Sequence, residues 1–321
     1  MNRVRRTVPI ILGMLILTGF TGFQFALSIQ TANAESPQRI VGYFSYWESA
    51  SLESIKYSKV TDIIYFHIWP NPDGTLDTSV VNQNDLAIIR DSAHSSGVNV
   101  LIAAGGGGAS EGFPIMVANS TARANFVSNI VQYVLDNNLD GIDINWETEI
   151  NQEKIDGQDI LLSDLSNALK PLGKSVTVAT SGEIVELKST ASDYVDWVNV
   201  MAYDMNWGNA EHSTFEDSIL ALEMYHNEGI SKEKLLLGIP FYGRDSNTNA
   251  LKYNEIVSIC NPSPSDNNCN DYFFNGIDLV QQKTKYVLDN GYGGVMIWNT
   301  GQDVHDQDSL LSAINVILGR Q

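Results

Sequence analysis

Cysteine is nearly absent: the 321-residue chain holds two, at positions 260 and 269. That excludes a disulfide-dense scaffold and a cysteine-rich zinc fold. The five histidines (67, 94, 212, 226 and 305) are scattered without ligand spacing, so no metal site is expected. Basic residues are also scarce, 19 Lys and Arg against 38 Asp and Glu, for a net charge of −19. A nucleic-acid surface needs a basic stripe, and an anionic membrane favours a basic face, so neither is an expected partner. Nine prolines and 25 glycines are too few for a collagen-like or linker-rich chain, and 43% hydrophobic content is too much for a disordered one. The nucleotide-binding signatures are missing as well. Gly105-Gly106-Gly107-Gly108 follows an apolar run, but the spacing is not G-x-G-x-x-G and no Gly-Lys-Ser/Thr follows. Those glycines read as a tight turn with close backbone approach, and no cofactor is expected. The chain has ample length for a real core, in one large domain or two small ones.

At the N-terminus, Arg3, Arg5 and Arg6 precede an apolar stretch, Val8 to Ile29, broken by Thr18, Thr21 and Gln24. Ala32-Asn33-Ala34 follows, a small-x-small site. This is the pattern of a secretory signal peptide over residues 1–34, cleaved after Ala34, with residues 35–321 secreted. An uncleaved anchor is the alternative, because about 20 apolar residues can span a bilayer. Export would place Cys260 and Cys269 in an oxidising compartment, and the turn-forming segment between them (residues 261–268) allows them to bridge.

Short β-rich runs recur along the rest of the chain. Strands are expected at Ile40–Ser45, Asp62–His67, Asn99–Ala104, Gly141–Glu147, Ser175–Thr180, Trp197–Tyr203, Leu235–Phe241 and Gly294–Trp298. Amphipathic helical patterns occupy Asn84–Ser95, Thr121–Asp136, Asp159–Leu169, Thr214–Asn227, Ile277–Asp289 and Asp308–Leu318. Several strands are unbroken apolar runs, as in a parallel sheet covered by helices. Strands that each lead into a helix, in a chain of this length, predict a single (β/α)₈ TIM barrel. An open doubly wound sheet is the runner-up.

In such a barrel, chemistry sits at the C-terminal strand ends. Trp47, Trp69, Trp146, Trp207 and Trp298 lie at or just past those ends, whereas Trp197 begins a strand. Trp146 and Trp197 fit ordinary packing. The others suit an aromatic cleft for sugars, whose C–H faces stack on rings. The fourth strand reads Asp140-Gly141-Ile142-Asp143-Ile144-Asn145-Trp146-Glu147. Alternation puts Asp143, Asn145 and Glu147 on one face and Ile142, Ile144 and Trp146 on the other. The apolar set belongs against the helices, so the polar set points inward, with Glu147 nearest the rim. A carboxyl crowded in this way gains proton affinity, which suits a general acid.

Residues 140–147 resemble the D-G-x-D-x-D-W-E motif of glycoside hydrolase family 18, the chitinases and their relatives, at all but one position. Met201-Ala202-Tyr203-Asp204 is similar to its M-x-Y-D, Gly238-Ile239-Pro240-Phe241-Tyr242-Gly243-Arg244 to its G-x-P-F-Y-G-R, and Gly294-Val295-Met296-Ile297-Trp298 to its G-V-M-x-W. The match runs from Gly42-Tyr43 to Gln302-Asp303. The resemblance implies a substrate-assisted retaining mechanism. Glu147 would protonate the glycosidic oxygen, with Asp143 and Asn145 behind it. The substrate's 2-acetamido carbonyl would attack the anomeric carbon, and Tyr203 would hydrogen-bond that acetamido oxygen. Asp204 and Arg244 would hold hydroxyls, Trp298 would form the floor, and Met201, Tyr242, Trp47 and Trp207 would line the groove. Asp140, off the inward register, would stabilise strand four.

Two segments depart from the family pattern. Asn145 stands where the family has a carboxylate, and Ala103-Ala104-Gly105-Gly106-Gly107 replaces S-x-G-G-W, losing a hydroxyl and an aromatic. The expected substrates are chitin, chitooligosaccharides or related N-acetylglucosamine glycans. A lectin on the same barrel and an endo-β-N-acetylglucosaminidase acting on N-glycans are the alternatives. Arg244 to Gly293 is too short for a full α+β insertion between strands seven and eight, so an open, shallow cleft on a monomer is expected.

Overall fold

The computed structural model describes residues 38–206, 208, 211–305 and 307–320. The expected signal peptide and Trp207 lie outside the described residues.

The apolar runs form eight parallel strands: β1 (Arg39–Ser45), β2 (Asp62–Pro70), β3 (Asn99–Gly105), β4 (Gly141–Asn145), β5 (Ser175–Ser181), β6 (Trp197–Met201), β7 (Leu235–Pro240) and β8 (Gly294–Trp298). Each pairs with its neighbour in chain order, and β8 pairs with β1, so the sheet closes into a TIM barrel. Strand alternation sorts the side chains into two layers. Ile142, Ile144 and Trp146 join the outer layer under the helices, with Trp146 stacked on Phe113 at 5.0 Å. Val41, Tyr43, Leu101, Ala103, Trp197, Leu236 and Met296 fill the interior. Burying each large apolar side chain contributes roughly 1.5–3 kcal/mol. Arg39 caps the lower end of the interior, its guanidinium 4.1 Å over the Trp197 ring.

The helices are α1 (Gln83–Ser95), α2 (Gly112–Ala118), α3 (Ser120–Asp136), α4 (Gln152–Leu169), α5 (Ala191–Tyr194), α6 (Phe215–Asn227), α7 (Tyr253–Cys260), α8 (Ile277–Asp289) and α9 (Leu310–Ile317). Asn82, Asn119, Asn151, Thr214 and Ser309 cap five of them, their side chains accepting first-turn backbone N–H groups. The cap at Asn151 starts α4 at Gln152, well before the expected Asp159. Helices α2, α5 and α7 are too short for their apolar period to stand out. The β1–β2 connection departs from the strand–helix rule, since it is built from 3₁₀ turns at Tyr46–Ser54 and Tyr57–Lys59.

Between β7 and β8 lies a miniature of an α+β insertion. Ala250–Lys252, Tyr242–Arg244, Tyr272–Phe273 and Asn268–Cys269 pair in that order as an antiparallel sheet beside α7. A disulfide between Cys260 and Cys269 ties the end of α7 to this sheet. Asp140 sits at the opposite, N-terminal end of β4. There its Oδ2 contacts His94 Nε2 at 2.7 Å and accepts the Val100 N–H at 2.8 Å, joining α1, β3 and β4.

Candidate active site

The site is built upward along β4. At its base Asp143 is fully buried. Its Oδ2 accepts from the Tyr43 hydroxyl at 2.7 Å, and its Oδ1 from Thr177 Oγ1 at 2.6 Å and Asn199 Nδ2 at 3.1 Å. Burial raises its proton affinity and outweighs the three donors, which pull the other way. Two residues higher, Asn145 donates Nδ2–H to Glu147 Oε1 at 2.8 Å. Its Oδ1 is buried and finds no donor among the described residues.

Glu147 stands just past the last paired residue of β4, because the backbone leaves the sheet after Asn145. It faces an open cavity of about 700 Å³ and is solvent-accessible. The surrounding walls still desolvate it and raise its proton affinity, against the hydrogen bond from Asn145. Ser110 fixes its backbone. Ser110 Oγ accepts the N–H of Glu147 at 2.9 Å and of Gly106 at 3.2 Å, and the hydroxyl proton points to the carbonyl of Gly106 or Asn145. The glycine turn after β3 makes this approach possible. Gly105 has φ of 87°, and a Cβ there would lie 2.2 Å from the Asn145 carbonyl oxygen.

The cavity wall brings together most of the residues expected from the sequence. Asn145, Glu147, Met201, Tyr203, Asp204, Tyr242, Arg244, Trp47 and Trp298 all line it, while Asp143 lies beneath. Trp298 packs edge-on to Phe66 at 4.8 Å and lies 5.6 Å from Tyr43, presenting its remaining surface to the cavity. Trp47 is half exposed at the rim, 6.4 Å from Trp298. The Tyr203 hydroxyl has a weak contact to Met296 Sδ at 3.7 Å. Burial, followed by the charge of Asp204, holds that phenol well above its ordinary pKa, so it is a donor throughout the physiological range. Asp204, at φ of 57°, is gripped by Arg244 in a bidentate pair, Nη2 to Oδ2 at 2.6 Å and Nε to Oδ1. Burial opposes its ionisation, but hydrogen bonds from Arg244 and His212 hold it well below the usual carboxylate range.

One aromatic falls elsewhere. Trp69, expected at the cleft, does not line the cavity; its Nε1–H donates to His67 Nε2 at 2.9 Å. That leaves His67 Nδ1–H to donate to the Gly105 carbonyl at 2.7 Å, and burial lowers the His67 pKa to about 4. Among the described residues no group of His, Cys, Asp and Glu side chains is placed to hold a metal.

Several contributors escaped the sequence reading. Thr177 and Asn199 lie on inward registers of β5 and β6, so alternation could have found them beside Asp143. Ser110, Lys252 and the buried pair Lys154–Glu186 sit in a loop, a short edge strand, a helix and a loop, outside any strand pattern. Lys252 pairs with the buried Glu48 at 2.8 Å, joining the β1 loop to the β7–β8 insertion.

The family model for glycosyl hydrolases family 18 matches residues 39–303. The chain belongs to this family. It is 26% identical over 262 residues to a chitinase-like effector of Moniliophthora perniciosa, covering 69% of this chain and 59% of that protein. It is 23% identical over 390 residues to chitinase A1 of Niallia circulans, covering 92% of this chain and 54% of that protein. The chain therefore spans little more than half the length of these two family 18 relatives. In fold it is similar to a chitinase from Bacteroides thetaiotaomicron, with a TM-score of 0.82 at 24% identity, over 89% of this chain and 98% of the other.

Proposed function

We propose that the chain is an exported chitinase-like hydrolase that cleaves β-1,4 linkages in N-acetylglucosamine glycans by substrate assistance with retention. The observation that carries this reading is Glu147: a carboxyl of raised proton affinity, held at the floor of an aromatic cavity by Asn145 and Ser110. Its accessible oxygen reaches the position of a glycosidic oxygen and donates the proton to the leaving sugar. The acetamido carbonyl of the retained sugar closes on the anomeric carbon as an oxazolinium ion. Tyr203 donates to that carbonyl oxygen, and its high pKa keeps the donor proton in place. The free Oδ1 of Asn145 is available for the acetamido N–H. Glu147, now ionised, takes a proton from the water that opens the ring. Trp298 supports the apolar face of the reacting sugar, and the Asp204–Arg244 pair presents charged groups to its hydroxyls.

A second reading, binding without turnover, is favoured by one feature: Asn145 carries no charge beside the position where the oxazolinium would form. Release of chromophore from an N-acetylglucosamine oligomer decides between them. The enzyme reading expects turnover by the native protein and loss of at least about a thousandfold in Glu147→Gln, with oligomer binding retained in both. Binding by the native protein without turnover on chitooligosaccharides, chitin or a high-mannose glycopeptide establishes the lectin reading instead.

A further inference from the structure

The wall beside Glu147 contains an ion pair that the strand motifs do not include. Lys154 of α4 reaches Glu186, in the loop after β5, with Nζ to Oε1 at 2.8 Å. Both side chains are almost fully buried, at 2% and 7% exposure. Removing two charges from water in this way is costly, and such a pair is weak evidence for a purely stabilising role. The pair is also oriented. Glu186 lines the cavity, whereas Lys154 does not and sits behind it, with a longer 3.4 Å contact to the Thr148 carbonyl next to Glu147. The second carboxylate oxygen of Glu186 accepts the Ser181 N–H at 3.0 Å and the Thr180 hydroxyl at 3.1 Å. The Tyr225 hydroxyl ties this loop to the strand, lying 2.9 Å from the Ile184 carbonyl oxygen and 2.6 Å from Thr180 Oγ1. A carboxylate is thus held by three donors in the wall of the same cavity as Glu147.

We propose that Glu186, held by Lys154, is a positioning residue that supplies the negative field at Glu147 which the uncharged Asn145 does not. The proposal rests on Glu147 being the general acid. The groups facing Glu147 are Asn145 and, deeper, Asp143 on its own strand, the Gly107 N–H from the turn after β3, Tyr203 after β6, Glu186 after β5 and Lys154 of α4. Among them Glu186 favours the protonated acid and Lys154 the ionised one.

The test is the pH dependence of kcat/KM on a chromogenic N-acetylglucosamine oligomer. A general acid must be protonated, so the rate falls as pH rises through its pKa. Glu186→Gln removes the negative partner and leaves the ammonium, so that fall moves to lower pH, by about half to one unit. Lys154→Met leaves the carboxylate alone and moves it to higher pH by a smaller amount, because Glu186 acts on Glu147 more strongly than Lys154 does. The double variant removes both charges, so the limb settles below the native position but above that of Glu186→Gln, and the remaining displacement is the net negative field of the pair. Opposed shifts that leave such a residue are expected of a field and not of a packing role. Loss of rate with an unmoved limb, or shifts in the same direction, overturns the proposal. Thermal melting identifies variants that fail to fold. If Lys154→Met is one of them, the near-isosteric Glu186→Gln decides alone, and Lys154→Arg must preserve the native limb. Glu147→Gln in the same assay separates the two levels: if it retains turnover, the general-acid reading fails; if it loses turnover while the Glu186 limb stays put, only the role of the pair fails.

Discussion

Replacing Asn145 by Asp tests the electrostatics of the site most directly. The Asn145 amide donates to Glu147 Oε1 at 2.8 Å, a contact that stabilises the ionised form of Glu147. The Asn145→Asp substitution removes that donor and places a second carboxyl against the first. Two unit charges about 4 Å apart interact by about 4 kcal/mol at an effective dielectric near 20. Divided by about 1.4 kcal/mol per unit, that is an upper bound of about three pKa units. A proton shared across the short contact recovers part of it, so the apparent pKa of the pair should rise by about one to two units over Glu147 alone. The protonated acid then persists to higher pH, and the descending limb of kcat/KM moves upward by the same amount. The new carboxylate also lies beside the developing positive charge, so kcat should rise by about tenfold or more. Stability supplies an independent check. A carboxyl whose folded pKa is raised contributes fully below its unfolded pKa and loses that contribution as pH rises through the folded value. Asn145→Asp should therefore melt like the native protein near about pH 3.5 and at lower temperature near about pH 7. A descending limb that does not move would refute the reasoning, because position 145 would then lie outside the proton network.

Other perturbations follow from the same geometry. Trp298→Ala removes the ring that packs on Phe66 and Tyr43 and faces the cavity; oligomer affinity by calorimetry should fall about tenfold or more, and unchanged affinity would remove Trp298 from the floor. Tyr203→Phe keeps the ring and deletes the donor, so kcat should fall by about a hundredfold with KM nearly constant; a change confined to KM would contradict a role in the transition state. Cys260→Ser with Cys269→Ser opens a disulfide of sequence separation 9; denaturant unfolding should show a loss of roughly 2.5–3 kcal/mol on the chain-entropy account, with kcat little changed.

The barrel was legible because its strands carry their burial in their spelling. Unbroken apolar runs such as Val100 to Ala104 can only be covered on both faces, and all eight expected strands form. Strand ends were less legible. β4 stops at Asn145 and β6 at Met201, because hydrogen bonding to the next strand ends before the apolar and polar alternation does. The motif residues that line the cavity converge there because each lies at or beyond a C-terminal strand end, and closure of the barrel brings those ends together. What escaped were side chains whose role depends on a partner far along the chain. Lys154 and Glu186 are 32 residues apart, and Glu48 and Lys252 are 204 apart. Each alone reads as an ordinary surface charge, and only the fold buries Lys154, Glu186 and Glu48 and brings Lys252 onto the last of them.

That difference bears on how the site can accommodate Asn145. Along β4, alternation fixes Asp143, Asn145 and Glu147 on one inward row, so a substitution at 145 cannot be offset from within the strand. The field at Glu147 can then change only through neighbouring elements. Tyr43, Thr177 and Asn199 donate to Asp143, and among the described residues it has no hydrogen bond to Asn145. Glu186 differs because its charge is held in the cavity wall by Lys154 behind it and by Thr180 and Ser181 at the end of β5. A site that has exchanged a carboxylate for an amide on one strand can therefore retain a negative potential from the next. The opposed pH shifts expected of Glu186→Gln and Lys154→Met are the measurable form of that compensation. They should shrink in the Asn145→Asp background, where β4 again supplies its own charge.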